Sequence, residues 1–132
     1  MNIHDYKDQI VWIIGASSGI GAALAAALVK QGARVAISAR RQESLALVAE
    51  ESGAEWTLPL DINDVTAIRK SQNELIQKAG HIDRVILLSA AYAPMHMDKL
   101  DIAEVNKIVQ TNLVGVFNLV DVTYPYLSLI HI

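Results

Sequence analysis

The sequence predicts an α/β fold, a doubly wound parallel sheet with helices on both faces, from three observations. Short apolar runs rich in β-branched residues alternate with longer amphipathic stretches, and such runs read as strands buried on both faces. Each run is followed by a segment long enough for a helix, so successive strands need crossover connections and pair in parallel. A glycine-rich turn at residues 15–21 joins the first run to the first helical stretch. In parallel sheets ligands sit at the carboxyl ends of the strands, near the switch in strand order.

Taken along the chain, residues 10–14 (Ile-Val-Trp-Ile-Ile) form the first strand. Ile20, Leu24 and Leu28 fall at i, i+4 and i+8 among alanines and predict a tightly packed helix ending near Gln31 and Gly32. Residues 34–38 form the second strand, and Leu45, Val48 and Ala49 mark a second helix with a charged outer face. Residues 56–60 read as a short third strand. Asn63 or Asp64 caps a third helix in which Val65, Ile68, Leu75 and Ile76 share a face, and Gly80 ends it as a left-handed cap. Residues 84–88 form the fourth strand. One long helix is expected over roughly 102–124, with Val105, Ile108, Val116 and Leu119 on its apolar stripe. The order is β-α-β-α-β-α-β-α.

Composition removes several function classes. Over 132 residues, 52% are hydrophobic and 19% charged, which supplies the core that a disordered chain lacks. A net charge of −3 with no basic run is unsuited to nucleic acid, where clustered Lys and Arg supply the affinity. The absence of cysteine excludes a disulfide scaffold and a thiolate metal site, and fits a cytoplasmic protein. His4, His81, His96 and His131 are scattered without ligand spacing, so no metal site is expected. Residues 10–29 carry no charge, but Gly15, Ser17, Ser18, Gly19 and Gly21 would break a spanning helix, and no basic segment precedes them as in a signal peptide. No membrane association is expected.

The turn has the spacing G-x3-G-x-G, not that of a P-loop. Gly15 allows a sharp exit from the sheet, Gly19 removes a Cβ where a phosphate approaches, and Gly21 lets the helix lie close on the strand. The first helical N–H groups lack intrahelical partners and sit at the positive end of the helix dipole, so they form an anion site to which Ser17 and Ser18 add hydroxyl donors. Here the chain resembles the short-chain dehydrogenase/reductase family, in which Gly-Ala-Ser-Ser-Gly-Ile-Gly at 15–21 is the cofactor turn. The resemblance extends to about residue 126. It implies a Rossmann-type fold, with four strands present of a larger sheet and residues 1–126 forming the N-terminal part of an NAD(P)-binding domain. It also implies cofactor contacts from Gly15, Ser17, Ser18, Gly19, Ile20 and Gly21.

Further positions follow one by one. After the second strand, an acidic residue would hold a ribose 2′-OH and an arginine would accommodate a 2′-phosphate. Ala39 stands at the acidic position and Arg40 and Arg41 follow, which favours NADP over NAD, although Ser18 stands where NADP-preferring relatives often carry a basic residue. Asp61 matches the family residue that contacts the adenine amino group, and Ile62 the residue that packs on the ring; helix capping is the alternative use of Asp61. Ser89, Ala90 and Ala91 stand where the family carries Asn-Ala-Gly, so two of three positions depart while remaining small enough for close approach to the cofactor ribose. Asn112 lies on the apolar stripe of the long helix, where a buried amide needs partners. The family has an Asn there, which kinks the helix and holds a water in the proton relay; a structural amide satisfied in the core is the other reading.

The resemblance implies hydride transfer between nicotinamide and a small-molecule carbonyl or alcohol substrate, with a Ser and a Tyr-x3-Lys pair supplying and tuning the proton donor. None of the four tyrosines has a lysine four residues on, and the matching Ser is not reached, so this chain alone is expected to be inactive. The competing reading is a non-catalytic NAD(P) sensor or a partner-binding module. Residues 127–132 break the helical register, and through one choice of codons they match a transposon end used in sequencing libraries; they are expected to be a non-native adapter read-through. The long helix resembles the one through which the family forms homodimers or homotetramers. The fourth strand is expected to be an open apolar edge.

Overall fold

Strand β1 (Ile10–Ile14) is buried along its whole length, and its side chains alternate between two cores. Ile10, Trp12 and Ile14 face one cluster and Val11 and Ile13 the other. The structure, a computed structural model, describes residues 5–127. Helices α1 (Gly19–Lys30) and α2 (Gln42–Ser52) cover the Val11–Ile13 face through Ala25, Leu28, Leu45 and Val48. Helix α3 (Val65–Ala79) covers the opposite face through Ile68 and Leu75. The four strands β1, β2 (Arg34–Ser38), β3 (Trp56–Thr57) and β4 (Arg84–Leu87) are parallel in the order β3-β2-β1-β4. The doubly wound α/β fold expected from the alternating blocks is therefore present. Strand order reverses between β1 and β4, which places the crevice at their carboxyl ends.

Local signals fix the helix ends. Gly32 and Gly53 take φ of +89° and +81° beyond α1 and α2. Gly80 also takes a positive φ after α3, but with ψ −37° it stands outside the left-handed helical region expected for it. Asp64, the second of two cap candidates, accepts from the Ala67 N–H at 3.0 Å. Asn63 is thereby released for another contact.

Three expectations are corrected. Regular pairing of β3 covers only two residues rather than 56–60; beyond Thr57, Leu58 N–H still donates to the Ile37 carbonyl and Leu60 N–H to the Ala39 carbonyl. Pro59, which has no N–H, stands between these two donors on the outer side of the edge strand, where no ladder bond is required. Ile20, expected to pack with Leu24 and Leu28, is 79% exposed: it occupies the first turn of α1, ahead of the residues that the helix buries against the sheet. The single long helix is divided into α4 (Ile102–Val109), a π-helical turn (Gln110–Val114) and α5 (Gly115–Thr123). Helix α5 buries Leu119 and Val122 in the α3-side core, whereas no residue of α4 is buried.

Strand β4 is only half-buried. Val85 and Leu87 pack toward one core and Ile86 toward the other. Leu127 makes a parallel bridge to Ile82 and packs on the α3-side core. The remaining residues of the expected foreign tail, 128–132, lie outside the described residues. Among the described residues, no helix is long and apolar enough to cross a membrane.

One buried polar tie joins the two central strands. The Trp12 indole Nε1–H donates to Ser38 Oγ at 2.8 Å, with both residues fully buried. Removing the acceptor leaves the indole N–H without its partner in an apolar layer. Ser38→Ala is expected to lower the unfolding free energy by about 1–3 kcal/mol. Urea denaturation checks this, and an unchanged midpoint at an unchanged slope would contradict it.

Candidate functional site

The glycine turn is shaped by what its neighbours leave no room for. Gly15 has φ +98°, and a Cβ built there would lie 2.5 Å from Ser89 N and 2.8 Å from the Leu88 carbonyl carbon. Its bare Cα lets the exit of β1 touch the exit of β4, in addition to making the sharp turn. A Cβ on Gly21 would fall on the Gly15 carbonyl oxygen and lie 2.7 Å from Ala16 Cα. Gly21 thus lets the helix start fold back on the turn itself, rather than letting the helix body lie on the strand. Gly19, at φ +55°, has nothing within 4 Å of the Cβ position. It faces open space, where an approaching ligand would meet only backbone.

The amino end of α1 carries no competing anion. Ser18 occupies the N-cap position without a side-chain cap bond, and no acidic residue stands in the first turn. The free N–H groups and the dipole therefore remain available to an external negative charge.

A cleft of about 300 Å³ lies at the carboxyl ends of β1, β2 and β4, and the turn reaches it through Gly15 and Ser17. Gly15 and Ser17 form its floor with Ser89, Ala90 and Ala91. Arg40 and Arg41 stand on one wall beside the buried Ala39. Both arginines are exposed, and neither makes an ion pair among the described residues. Asp61 and Ile62 line the cleft as well, with Leu60 and Asn63. Asp61 Oδ1 accepts from the Asn63 N–H at 2.9 Å, and its backbone carbonyl accepts from the Asp64 N–H, so it stabilises its own turn while Asp64 caps α3. Ile62 is only 5% exposed because its side chain is pressed against Gly115, where a Cβ would lie 3.2 Å away. Of the residues singled out in the sequence, Ser18, Gly19, Ile20 and Gly21 lie at the start of α1 rather than among the cleft-lining residues.

Asn112 is exposed, not buried as its place on the stripe suggested. Its amide nonetheless finds two partners. The side-chain oxygen accepts from the Ala91 N–H at 2.7 Å, and Nδ2 donates to the Ala91 carbonyl at 2.8 Å. This reciprocal pair pins the strand-end loop to the π-helical turn. The exposure matches the packing of the preceding helix: no residue of α4 is buried, so the apolar stripe is at most half-covered up to this point.

Two residues outside the sequence expectations belong to the site. Thr111 lines the cleft, and the Asn63 Nδ2 donates to its Oγ1 at 3.0 Å. Asn63 carried a capping signal that Asp64 fulfils, and Thr111 carried no signal at all; the contact spans 48 positions of sequence.

Comparison with known proteins agrees with this geometry. Residues 9–130 match the family described as short chain dehydrogenase. The chain is 35% identical over 124 residues to 3-dehydrosphinganine reductase TSC10B of Arabidopsis thaliana, covering 90% of this chain and 36% of that protein. It is 32% identical to the 11-beta-hydroxysteroid dehydrogenase-like 2 protein of the same plant, covering 87% and 39%. Among solved structures, a short-chain type dehydrogenase/reductase from Mycobacterium marinum superposes with a TM-score of 0.86 at 27% identity, covering 92% of this chain and 51% of that one. The Pseudomonas aeruginosa RhlG/NADP active-site complex superposes with a TM-score of 0.84 at 25% identity, covering 94% and 51%. The chain thus spans about half the length of these structures and less than two-fifths of these two curated relatives. With the glycine turn, the strand order and the matched span in agreement, the chain belongs to the short-chain dehydrogenase family.

Proposed function

We propose that the cleft binds NAD(P), and that the protein to which this chain belongs is an oxidoreductase acting on a carbonyl or alcohol substrate. The observation that carries the reading is the uncapped amino end of α1 beside the open face of Gly19. The residues fit the group. The amides of 17–21 and the hydroxyls of Ser17 and Ser18 would hold the pyrophosphate, and the small residues Ser89, Ala90 and Ala91 would admit a ribose. Asp61 and Ile62 would border the adenine. When bound, NAD(P) supplies the hydride acceptor or donor. Asn112 would orient the Ala91 backbone through its two hydrogen bonds, fixing the floor of the cleft.

NADP is preferred over NAD in this reading. Two guanidinium groups line the cleft without an ion pair among the described residues, and no carboxylate stands at position 39 to meet a ribose 2′-OH. The similarity to a protein solved as an NADP complex supports the same choice. Binding without turnover is proposed for this chain alone, since none of its tyrosines has a lysine four residues on. A homodimer or homotetramer is proposed for the whole protein, supported by the exposed apolar row Val109, Leu113, Phe117 and Val120.

Calorimetry tests the central reading. The chain is expected to take up NADPH, and Gly19→Asp, which sets a carboxylate at the pyrophosphate position, is expected to weaken uptake by roughly a hundredfold. No uptake of either NADPH or NADH by the folded wild-type chain would overturn it, as would an unchanged affinity in the variant.

A further inference from the structure

We propose that Thr111 is a positioning residue that couples the adenine side of the cleft to the Asn112–Ala91 clamp, an inference that rests on the nucleotide reading above. Thr111 and Asn112 are consecutive residues of the π-helical turn, and consecutive side chains of a helix do not face the same way. They therefore reach two different loops. Thr111 Oγ1 accepts from Asn63 Nδ2 at 3.0 Å, which ties the turn to the loop after β3. Asn112 holds the N–H and the carbonyl of Ala91 at 2.7 and 2.8 Å, which ties it to the loop after β4. Both loops line the same cleft.

The tie on the β3 side is itself anchored at the ligand wall. The Asn63 N–H is held by Asp61 Oδ1 at 2.9 Å, so a ligand that engages the Asp61 carboxylate acts on the turn from which the Asn63 side chain projects. A π-helical turn is a weak point of regular helix geometry, often found at functional sites. This one follows α4, no residue of which is buried, so little core packing opposes a small shift there. The three ties form one path, from Asp61 through Asn63 and Thr111 to Asn112 and Ala91. Occupation of the adenine side should reset the backbone at Ala91, which the proposed function assigns to the ribose floor. The coupling would make the halves of the cleft assemble together on the whole dinucleotide.

The test uses 5′-AMP, the adenine half of the cofactor, with the full chain labelled with nitrogen-15. In the wild type, AMP is expected to shift the Ala91 amide and the Asn112 side-chain amide as well as the residues of the 61–63 turn. In Thr111→Val, which keeps the shape and removes the acceptor, AMP should still shift the 61–63 turn, while the Ala91 and Asn112 responses fall by at least about twofold. Thr111→Ser, which restores the hydroxyl, should recover them. An Ala91 response equally large in Thr111→Val would show direct contact rather than coupling and overturn the proposal. So would AMP binding at 61–63 in the wild type with a silent Ala91. Absence of any AMP binding would overturn the nucleotide reading and this inference together, and is distinguished from a failure of coupling by the silent 61–63 turn.

Discussion

Gly15→Val is expected to cost the chain roughly 4 kcal/mol or more of stability. Two effects add. A β-branched residue at φ +98° is strained whatever its surroundings. The new Cβ would also lie 2.5 Å from Ser89 N, a backbone atom just beyond β4, which pairs with β1. Relief requires separating β1 from β4, and β1 is the fully buried centre of both cores. With native domains stable by only about 5–15 kcal/mol, a loss of this size removes much of the folded state. Urea denaturation followed by circular dichroism checks it. Gly19→Ala is the paired control: its Cβ meets nothing within 4 Å, so only the left-handed backbone is penalised, by about 1 kcal/mol. Equal losses in the two variants would show that close approach to β4 is not what position 15 requires.

Arg40→Ala combined with Arg41→Ala is expected to weaken NADPH binding by about 10- to 100-fold while leaving NADH within about threefold. Both side chains line the cleft and neither is engaged by a carboxylate among the described residues, so their charge is available to a 2′-phosphate. NADH has no such group, and its loss measures only the general field of two exposed cations, which salt screens. Calorimetric titration of both cofactors gives the ratio directly. An equal loss for the two would refute a 2′-phosphate role for the pair and remove the support for NADP over NAD.

How far the site could be read in advance depended on whether a residue's task is local. Asp64 and Ala67 are three residues apart, and the cap is visible as a spacing. The glycines at 15, 19 and 21 announce a turn because few other residues can make it. The Asn63–Thr111 and Asn112–Ala91 bonds join residues 48 and 21 positions apart, and no periodicity encodes them. An amide on an apolar stripe singles out Asn112, yet the residue is exposed, because periodicity assigns a face and not what covers it.

The alternation of strands and helices, the parallel sheet and the position of the glycine turn are all legible in the order of residues. Those follow from backbone sterics and from apolar patterning over a few neighbouring residues. The break of the long helix at a π-helical turn, the exposure of Ile20 and the meeting of Asn63 with Thr111 emerge only in the folded chain. Each of these depends on which distant backbone lies alongside, and chain packing, not local propensity, sets that distance.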